Sequence, residues 1–293
     1  MSRVENAGGE QVHVAEYGDE RGDGPAVLLS SGLGGAWFDW LRTVRRLEDG
    51  QRVIAFDRPG LGLSPSGHAP PSLRREVRIL EAFAERTRGP VVVVAHSMAA
   101  FHAEAFTRLH PDLVAGLVMV DPSFERRPRT LVRLTAALTP ATKAFGALLG
   151  ATRLARLIGP LGRRLVLRRT SRDGDTAPAE LIRSVYGRGT VLGTVLAEEF
   201  AYREMAVDLD RLRGQRPFPA VPLVVLTALG DVRNPGKADE WTRAHAELAA
   251  MSPYGRQMVL RDSLHMVMMD RPDAVADAIS EVLRPSSTVR DGA

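Results

Sequence analysis

Residues 91–100 read Val91-Val92-Val93-Val94-Ala95-His96-Ser97-Met98-Ala99-Ala100. Four successive valines are typical of a buried strand, and this one leads directly into a serine. Alanine stands two residues before Ser97 and two residues after it. A serine on a sharp strand-to-helix turn exposes its hydroxyl above the sheet and leaves room only for small residues at those positions. The stretch therefore predicts a nucleophile elbow, although a serine that simply caps a helix is the plainer alternative.

A carboxylate and an imidazole follow downstream, each just past a predicted strand. The strand 221–228 is followed by Leu229-Gly230-Asp231, and the strand 257–260 is followed by Arg261-Asp262-Ser263-Leu264-His265. A serine hydroxyl is a poor nucleophile at neutral pH, so it needs a base within hydrogen-bond reach and an anion that orients the base. We assign His265 as the base and Asp231 as the orienting acid.

The chain order serine, aspartate, histidine at strand ends resembles that of the α/β-hydrolases. Three further motifs carry the resemblance. Ser31-Gly32-Leu33-Gly34-Gly35 is similar to the oxyanion loop of that superfamily, Asp57-Arg58-Pro59-Gly60-Leu61-Gly62-Leu63-Ser64 to its D-x-x-G-x-G-x-S turn, and Arg271-Pro272-Asp273-Ala274-Val275 to the entry of its last helix. The chain departs from the pattern with alanine for glycine around the elbow. It also has Ser31 where the family usually has a histidine that braces the loop.

Asp121 is the alternative acid, because some members of the superfamily take the carboxylate from the end of an earlier strand. It follows a predicted strand in Val118-Met119-Val120-Asp121-Pro122. An aspartate before proline at a strand end is also an ordinary turn residue. Asp231 is preferred because the glycine before it and the loop toward Pro235 match the usual site of the acid.

The resemblance implies that two backbone N–H groups form an oxyanion hole, those of Leu33 in the glycine-rich loop and of Met98 after the nucleophile. Three aromatic residues are candidates for an acyl pocket, although each could equally belong to the core: Trp37, Phe101 and Phe124.

The pattern of strands and helices predicts an α/β fold with a mostly parallel, doubly wound sheet. Between residues 123 and 221 the strands stop, and Leu/Ala/Arg-rich helical periodicity takes over. This interruption resembles the helical cap that α/β-hydrolases insert between their sixth and seventh strands. We expect an α/β-hydrolase core at 1–123 and 217–285, a cap at 124–216 and a flexible tail at 286–293.

Composition narrows the chemistry. The 293 residues include no cysteine, which excludes disulfides, thiolate metal sites and a cysteine nucleophile. No histidine or carboxylate cluster has metal-ligand spacing, and no phosphate-binding loop is complete, so neither a metal nor a cofactor is expected. The sequence shows neither a signal-peptide pattern nor an apolar run of membrane-spanning length, and a cytoplasmic protein is the default expectation.

Basic residues concentrate in one segment. From Arg126 to Arg172 there are twelve lysines and arginines and no aspartate or glutamate, against a net charge of +4 for the whole chain. A solvated helix face is the simpler interpretation. The sharper hypothesis is a peripheral contact between the cap and an anionic membrane or an acidic substrate, because basic amphipathic helices lie in membrane interfaces. Nothing indicates a nucleic-acid partner or a particular oligomeric state.

These observations predict a cofactor-independent serine hydrolase that cleaves an ester, thioester, lactone or related acyl bond of a small, largely apolar molecule through an acyl-enzyme. A serine at position 97 argues against the dehalogenase and epoxide-hydrolase branches, which attack with a carboxylate. Two alternatives stay open: a C–C bond hydrolase or lyase that uses the same triad, and a non-catalytic small-molecule-binding protein on the same fold.

Overall fold

A computed structural model describes residues 1–19, 24–47, 51–87, 89–126, 128–129 and 133–284. The predicted tail at 286–293 lies outside these residues. The described strands are β1 (Ser2–Ala7), β2 (Glu10–Tyr17), β3 (Val27–Ser30), β4 (Val53–Asp57), β5 (Val91–His96), β6 (Val114–Val120), β7 (Leu223–Ala228) and β8 (Gly255–Leu260). They form one sheet in the order β1-β2-β4-β3-β5-β6-β7-β8.

The sheet is antiparallel only at one edge. β1 pairs antiparallel with β2, and β2 pairs antiparallel with β4, whereas all later neighbours are parallel. The predicted fold class, a mostly parallel α/β sheet, is confirmed. The sequence analysis missed β1, because its alternation of polar and small residues lacks the apolar signal of the buried strands.

Helices cover both faces of the sheet. They are α1 (Leu41–Val44), α2 (Leu73–Glu85), α3 (Ala99–Leu109), α4 (Thr135–Ala151), α5 (Ala155–Thr170), α6 (Ala179–Tyr186), α7 (Gly189–Gln215), α8 (Pro235–Ala249), α9 (Val267–Asp270) and α10 (Pro272–Leu283). Short 3₁₀ turns span Trp37–Trp40 and Pro111–Leu113.

The four valines of β5 are shared between two hydrophobic cores. Successive side chains of a strand point to opposite faces of the sheet. Val91 and Val93 accordingly pack into the core beneath α2 and α3, and Val92 and Val94 into the core beneath α10. All four are fully buried. The continuous valine run is therefore the sequence signature of a central strand covered on both sides.

Between β6 and β7 the described chain forms the helices α4 to α7, which we call the helical insertion. Small residues allow α4 and α7 to pack closely. A Cβ atom added to Gly146 of α4 would lie 2.5 Å from the carbonyl oxygen of Gly189, and one on Gly193 would lie 2.5 Å from that of Thr142. Within the described residues no helix is both long enough and apolar enough to cross a membrane.

Candidate active site

Ser97 lies on a strained turn between β5 and α3. Its φ is 54°, in the left-handed region that non-glycine residues seldom adopt. A Cβ added to Gly32 would lie 3.0 Å from the Cβ of Ser97. The backbone of the loop after β3 therefore passes directly beside the serine, and only glycine permits this approach. The local geometry is that of a nucleophile elbow.

His265, in the loop after β8, makes its side-chain hydrogen bond to Asp121. Its Nδ1 donates to Oδ2 of Asp121 across 2.6 Å. The carboxylate is 4% exposed, and its other oxygen accepts from the backbone N–H of Ala228 at 3.0 Å and from Nε1 of Trp241 at 3.1 Å. Three donors thus hold the carboxylate still. They leave Nε2 of His265 as the nitrogen that can accept a proton.

The preference for Asp231 over Asp121 is corrected by this contact. Asp231 follows β7, its side chain is exposed, and within the described residues that side chain has no hydrogen-bond partner. β6 is the direct neighbour of β5 in the sheet, whereas β7 is one strand farther away. Asp121 has a φ of 40°, and its side chain contacts His265, Ala228 and Trp241, so the residue is more than an ordinary turn aspartate.

The turn that contains Ser97 and the turn that contains Asp121 are hydrogen-bonded to each other. The N–H of Ser97 donates to the carbonyl of Val120 at 3.0 Å, and the N–H of Ser123 donates to the carbonyl of Ser97 at 3.1 Å. These two bonds flank Asp121. The positions of the serine and the carboxylate are therefore fixed by backbone contacts as well as by side chains.

The His265 ring lies close to the end of β5. Its centroid is 4.6 Å from that of His96, the residue directly before Ser97. Within the described part of the chain, the Ser97 hydroxyl has no hydrogen-bond partner. It is thus not committed elsewhere, and catalytic hydrogen bonds commonly close only when substrate binds.

His96 is a positioning residue that the sequence analysis passed over. Its Nε2 donates to the backbone carbonyl of His265 at 3.0 Å. Burial, together with the neighbouring His265, lowers the pKa of His96 well below its ordinary value. The neutral ring therefore supports the loop of the base without placing a second positive charge beside it.

The two predicted oxyanion donors are free in the described structure. Neither the N–H of Leu33 nor that of Met98 donates to a protein acceptor within the described residues. Gly34, with φ 64°, makes the turn that follows Leu33. Ser31, at the position where a histidine was expected, donates its hydroxyl to the carbonyl of Ala36 at 3.1 Å and accepts from Nε1 of Trp40 at 2.9 Å. The serine therefore still braces the loop.

A buried ion pair ties the same loop to the helical insertion. Arg58 donates Nη2 to the carbonyl of Gly32 at 2.8 Å and also donates to the carbonyl of Ser31. Glu198 of α7 accepts from Nε of Arg58 at 2.7 Å and from the N–H of Gly34 at 3.4 Å. Both side chains are almost completely buried. In the sequence, Arg58 stood out only as part of the D-x-x-G-x-G-x-S turn, and Glu198 did not stand out at all, because the two lie 140 residues apart.

A second buried contact joins the helical insertion to this region. Arg163 of α5 donates to Asp39 at 2.8 Å and to Asp175 at 2.6 Å. It also contacts the hydroxyl of Tyr186, which in turn donates to the carbonyl of Gly34 at 2.9 Å. Three helices of the insertion, α5, α6 and α7, thus contact the core at or beside the oxyanion loop.

The structure places Trp37 in a different hydrophobic cluster from Phe101 and Phe124, which share one. Trp37 packs against the rings of His13 and Tyr17 on β2, so its assignment to an acyl pocket is corrected to core packing at that edge. Phe101 is buried against Tyr202 of α7, with ring centroids 5.3 Å apart. Phe124 is half-buried beneath the guanidinium of Arg126. A pocket role for these two phenylalanines stays a prediction.

No group of histidine and carboxylate side chains among the described residues could hold a metal ion.

The comparison with protein families matches residues 26–278 to the model described as "Alpha/beta hydrolase family". The chain belongs to this family. Solved α/β-hydrolase-like structures superpose over nearly the whole chain. Cfl2 from Burkholderia cenocepacia is 20% identical with a TM-score of 0.70, covering 97% of this chain and 95% of that one. The enol-lactonase from Burkholderia xenovorans LB400 is 20% identical with a TM-score of 0.66, covering 96% and 99%. At this identity the likeness shows the fold alone.

Curated relatives match over shorter stretches and carry hydrolase names. Epoxide hydrolase B of Mycobacterium tuberculosis is 29% identical over 134 residues, which is 43% of this chain and 37% of the relative. The putative carbamate hydrolase RutD of Variovorax paradoxus is 39% identical over 105 residues, which is 34% of this chain and 38% of the relative. This α/β-hydrolase chain therefore aligns with less than half the length of each.

Proposed function

We propose that this α/β-hydrolase is a serine hydrolase that cleaves an acyl bond through a covalent acyl-enzyme. Ser97 is the nucleophile, His265 the general base, and Asp121 the carboxylate that orients it. The observation that carries the proposal is the 2.6 Å contact from Nδ1 of His265 to Asp121, whose turn is hydrogen-bonded to that of a serine held at φ 54°. The hydroxyl, the imidazole and the carboxylate of a serine triad are then each supplied by one of these residues.

In the first step, Nε2 of His265 takes the hydroxyl proton as Oγ of Ser97 attacks the acyl carbon. The tautomer is fixed because Nδ1 already donates to Asp121. The imidazolium that forms is stabilised by a carboxylate that is 4% exposed, where charge is weakly screened. His265 then returns the proton to the leaving group, and water hydrolyses the acyl-serine by the same sequence in reverse order.

The developing oxyanion is stabilised by the N–H groups of Leu33 and Met98. Both donors are unpaired within the described residues, so no existing hydrogen bond has to break when the oxyanion forms. Preorganised donors of this kind typically lower the barrier by about 3–4 kcal/mol each. Met98 also precedes α3, whose N-terminus favours negative charge.

The surroundings favour an uncharged, largely apolar substrate. Arg58 and Glu198 neutralise each other beside the oxyanion loop. Val195 of α7 lies over Gly34, where a Cβ would come 3.0 Å from its methyl group, and Leu33 presents a 39% exposed aliphatic side chain. Ester, thioester, lactone and related bonds are compatible with such a site. A C–C bond hydrolase acting through the same serine is the second possibility.

The relative named epoxide hydrolase does not make epoxide opening the preferred activity here. Epoxide hydrolases of this superfamily attack with a carboxylate, whereas the elbow of this chain carries a serine hydroxyl. The relatives named carbamate hydrolase and enol-lactonase act, by their names, on carbonyl compounds, which supports acyl chemistry for Ser97.

A fluorophosphonate probe tests the proposal directly. We expect rapid covalent labelling of the native protein, loss of labelling in Ser97→Ala, and recovery of the labelled peptide that contains residue 97. Ser2 is the matched control, because its hydroxyl lies 2.7 Å from a histidine, His13, that in turn contacts an aspartate. Ser2→Ala should label like the native protein.

A panel of p-nitrophenyl esters of increasing chain length, with thioesters and lactones, then defines the substrate class. Absence of labelling at Ser97, combined with tight binding of a small molecule, would overturn the enzymatic proposal in favour of a receptor. Labelling at Ser97 without hydrolysis of any ester, lactone or thioester in the panel would favour cleavage of a C–C bond.

A further inference from the structure

The helix α5 is amphipathic, and its apolar side faces outward. Its buried residues Ala155, Gly159, Arg163 and Leu167 recur every fourth position and face the protein. The opposite side carries five exposed aliphatic residues at helical spacing, which we call the α5 outer face: Leu154, Leu157, Ile158, Leu161 and Leu165. An apolar stripe opposite the packed side is the reverse of what a solvated helix requires.

The exposure of this stripe is large. Leu157 is 74% exposed, Leu161 56% and Leu165 51%. From Leu154 to Leu165 the stripe runs about 16 Å along the helix, at about 1.5 Å per residue. Contiguous exposed aliphatic surface of this kind marks an interaction site, whereas singly scattered apolar residues do not.

The preceding helix α4 shows the same inversion. Its buried positions are Thr135, Thr139, Thr142 and Gly146, and these polar or small residues face α7. Its exposed positions include Phe145 and Leu148, which are 46% and 62% exposed. Apart from Leu167, the buried residues of these two successive helices are small or polar, whereas apolar residues are exposed.

Arginines flank the α5 outer face and have no acidic partner. Within the described residues no ion pair engages the exposed side chains of Arg156, Arg164, Arg168, Arg169 or Arg183. The nearest downstream carboxylates are already used, because Asp173 pairs with Arg42 and Asp175 with Arg163.

Several of these arginines line cavities between α5 and α6. One cavity of about 340 Å³ is lined by Arg164, Arg168 and Arg183, together with Asp175, which is paired with Arg163. A neighbouring cavity of about 400 Å³ is lined by Arg156, Arg183 and Arg188. Arg188 already donates to the carbonyls of Gly62 and Ser64, which leaves the other guanidinium groups available. Guanidinium groups are well suited to bind the oxygens of a phosphate group.

We infer that the α5 outer face docks on the surface of an anionic lipid bilayer. The aliphatic stripe enters the boundary between headgroups and acyl chains, and the flanking arginines bind lipid phosphates. A second copy of this chain fits less well, since a symmetric contact would bring two sets of unpaired arginines together. The helical insertion would then face the membrane while the sheet stays in water.

Vesicle sedimentation tests this inference in the Ser97→Ala background, so that lipid hydrolysis does not enter and failure of the serine hydrolase proposal leaves the test intact. We expect binding to vesicles of phosphatidylcholine mixed with phosphatidylglycerol, little binding to phosphatidylcholine alone, and weaker binding at high salt. Equal binding to the two vesicle types would overturn the inference.

Two sets of variants locate the contact. Arg164→Gln with Arg168→Gln should weaken binding by about 25-fold, a factor of about five for each basic residue near the surface. Arg74→Gln with Arg78→Gln removes the same charge from α2, where both side chains are exposed, and should leave binding unchanged. Equal losses in the two pairs would mean that net charge alone drives binding, which also overturns the inference.

The apolar part is tested by replacing Leu157, Leu161 and Leu165 together with glutamine, which keeps helix propensity. Binding should fall by more than about tenfold with an unchanged melting temperature, whereas Leu109→Gln, at an exposed leucine of α3, should have no effect. Sedimentation velocity without lipid completes the test. A native dimer that the triple variant converts to monomer would show that a second copy covers this face.

Discussion

Asp121 receives more hydrogen bonds than a turn aspartate needs. One carboxylate oxygen contacts His265, and the other accepts from the end of β7 and from Trp241 of α8. Each bond helps to fix the orientation of the carboxylate. At the scale of single residues, the acid is thus defined by its three partners, which come from three separate segments of the chain.

Replacement of the acid separates the two aspartates that the sequence offered. Asp121→Asn should reduce the rate of ester hydrolysis by about 10³–10⁴-fold, because an amide favours the wrong tautomer of His265. Asp231→Asn, at an exposed side chain, should change the rate by less than about twofold. Steady-state kinetics with a p-nitrophenyl ester measures both, and the reverse ranking would restore Asp231 as the acid.

The close approach at Gly32 gives a second prediction at this scale. A methyl group there would lie 2.7 Å from Nδ1 of His96 and 3.0 Å from the Cβ of Ser97. Gly32→Ala should therefore slow fluorophosphonate labelling by at least about tenfold, through displacement of the loop. Gly214→Ala in α7, where nothing lies within 4 Å of an added Cβ, is the matched control.

Gly214→Ala should keep native labelling and raise the free energy of unfolding by about 0.5–1 kcal/mol, since alanine is the better helix former. Native labelling in Gly32→Ala would contradict the importance of this approach.

Sequence reasoning reached some of these residues for a physical reason. The elbow has a local signature, because its steric limits act on residues close to Ser97. His265 could be singled out because it lies in the loop after the last strand. The choice of Asp121 rather than Asp231 requires knowledge of which strand ends lie next to each other in the sheet. The ring of Trp241 and the carboxylate of Glu198 reach the site from distant helices, and no local pattern marks such contacts.

At the scale of elements, α7 is linked to the oxyanion loop through Glu198 and Arg58. A buried ion pair contributes little net stability compared with apolar replacements, but loss of one partner leaves the other charge buried without compensation. The pair is therefore best understood as a device that fixes the loop relative to the helix.

Glu198→Ala should lower the free energy of unfolding by about 3–5 kcal/mol, measured by urea denaturation. The double variant Arg58→Met with Glu198→Leu should recover most of that loss, because no unpaired charge remains. Its labelling at Ser97 should nevertheless stay slow, since the carbonyls of Ser31 and Gly32 lose their donor. Recovery of both stability and labelling would mean that the pair has no positioning role.

The elements themselves were predictable to different degrees. The continuous valines of β5 and the helical spacing of α2 identify their type, because each pattern reflects burial on known faces. β1 could not be identified in this way, since an edge strand needs only backbone pairing with β2. The close packing of α4 on α7 depends on glycines that read in sequence as helix breakers.

At the scale of the whole molecule, buried histidines make stability depend on pH. Burial lowers the pKa of His102 to about 3 and lowers that of His245 as well. In the unfolded chain a histidine titrates near about 6.5, so below that pH the unfolded state binds protons that the folded state does not. Stability is therefore highest above about pH 6.5 and falls as the pH decreases.

His102→Leu tests the size of this effect. Between pH 7 and pH 5 the native protein should lose about 2 kcal/mol through His102 alone, at about 1.4 kcal/mol per pH unit below about 6.5. In the variant, the free energy of unfolding measured by urea denaturation should fall less steeply as the pH decreases across this range. The difference in slope should correspond to about one bound proton. An unchanged slope would mean that His102 is not kept neutral by burial.

The two backbone bonds that join the turns of Ser97 and Asp121 have a consequence for heat inactivation. Ser97 and Asp121, the proposed nucleophile and acid, follow the ends of the adjacent central strands β5 and β6, so they cannot separate while these strands remain paired. Activity should consequently be lost in the same cooperative transition in which the sheet unfolds, and no folded but inactive form should accumulate at intermediate temperature. The amide protons of Ser97 and Ser123 should be among the last to exchange with solvent deuterium.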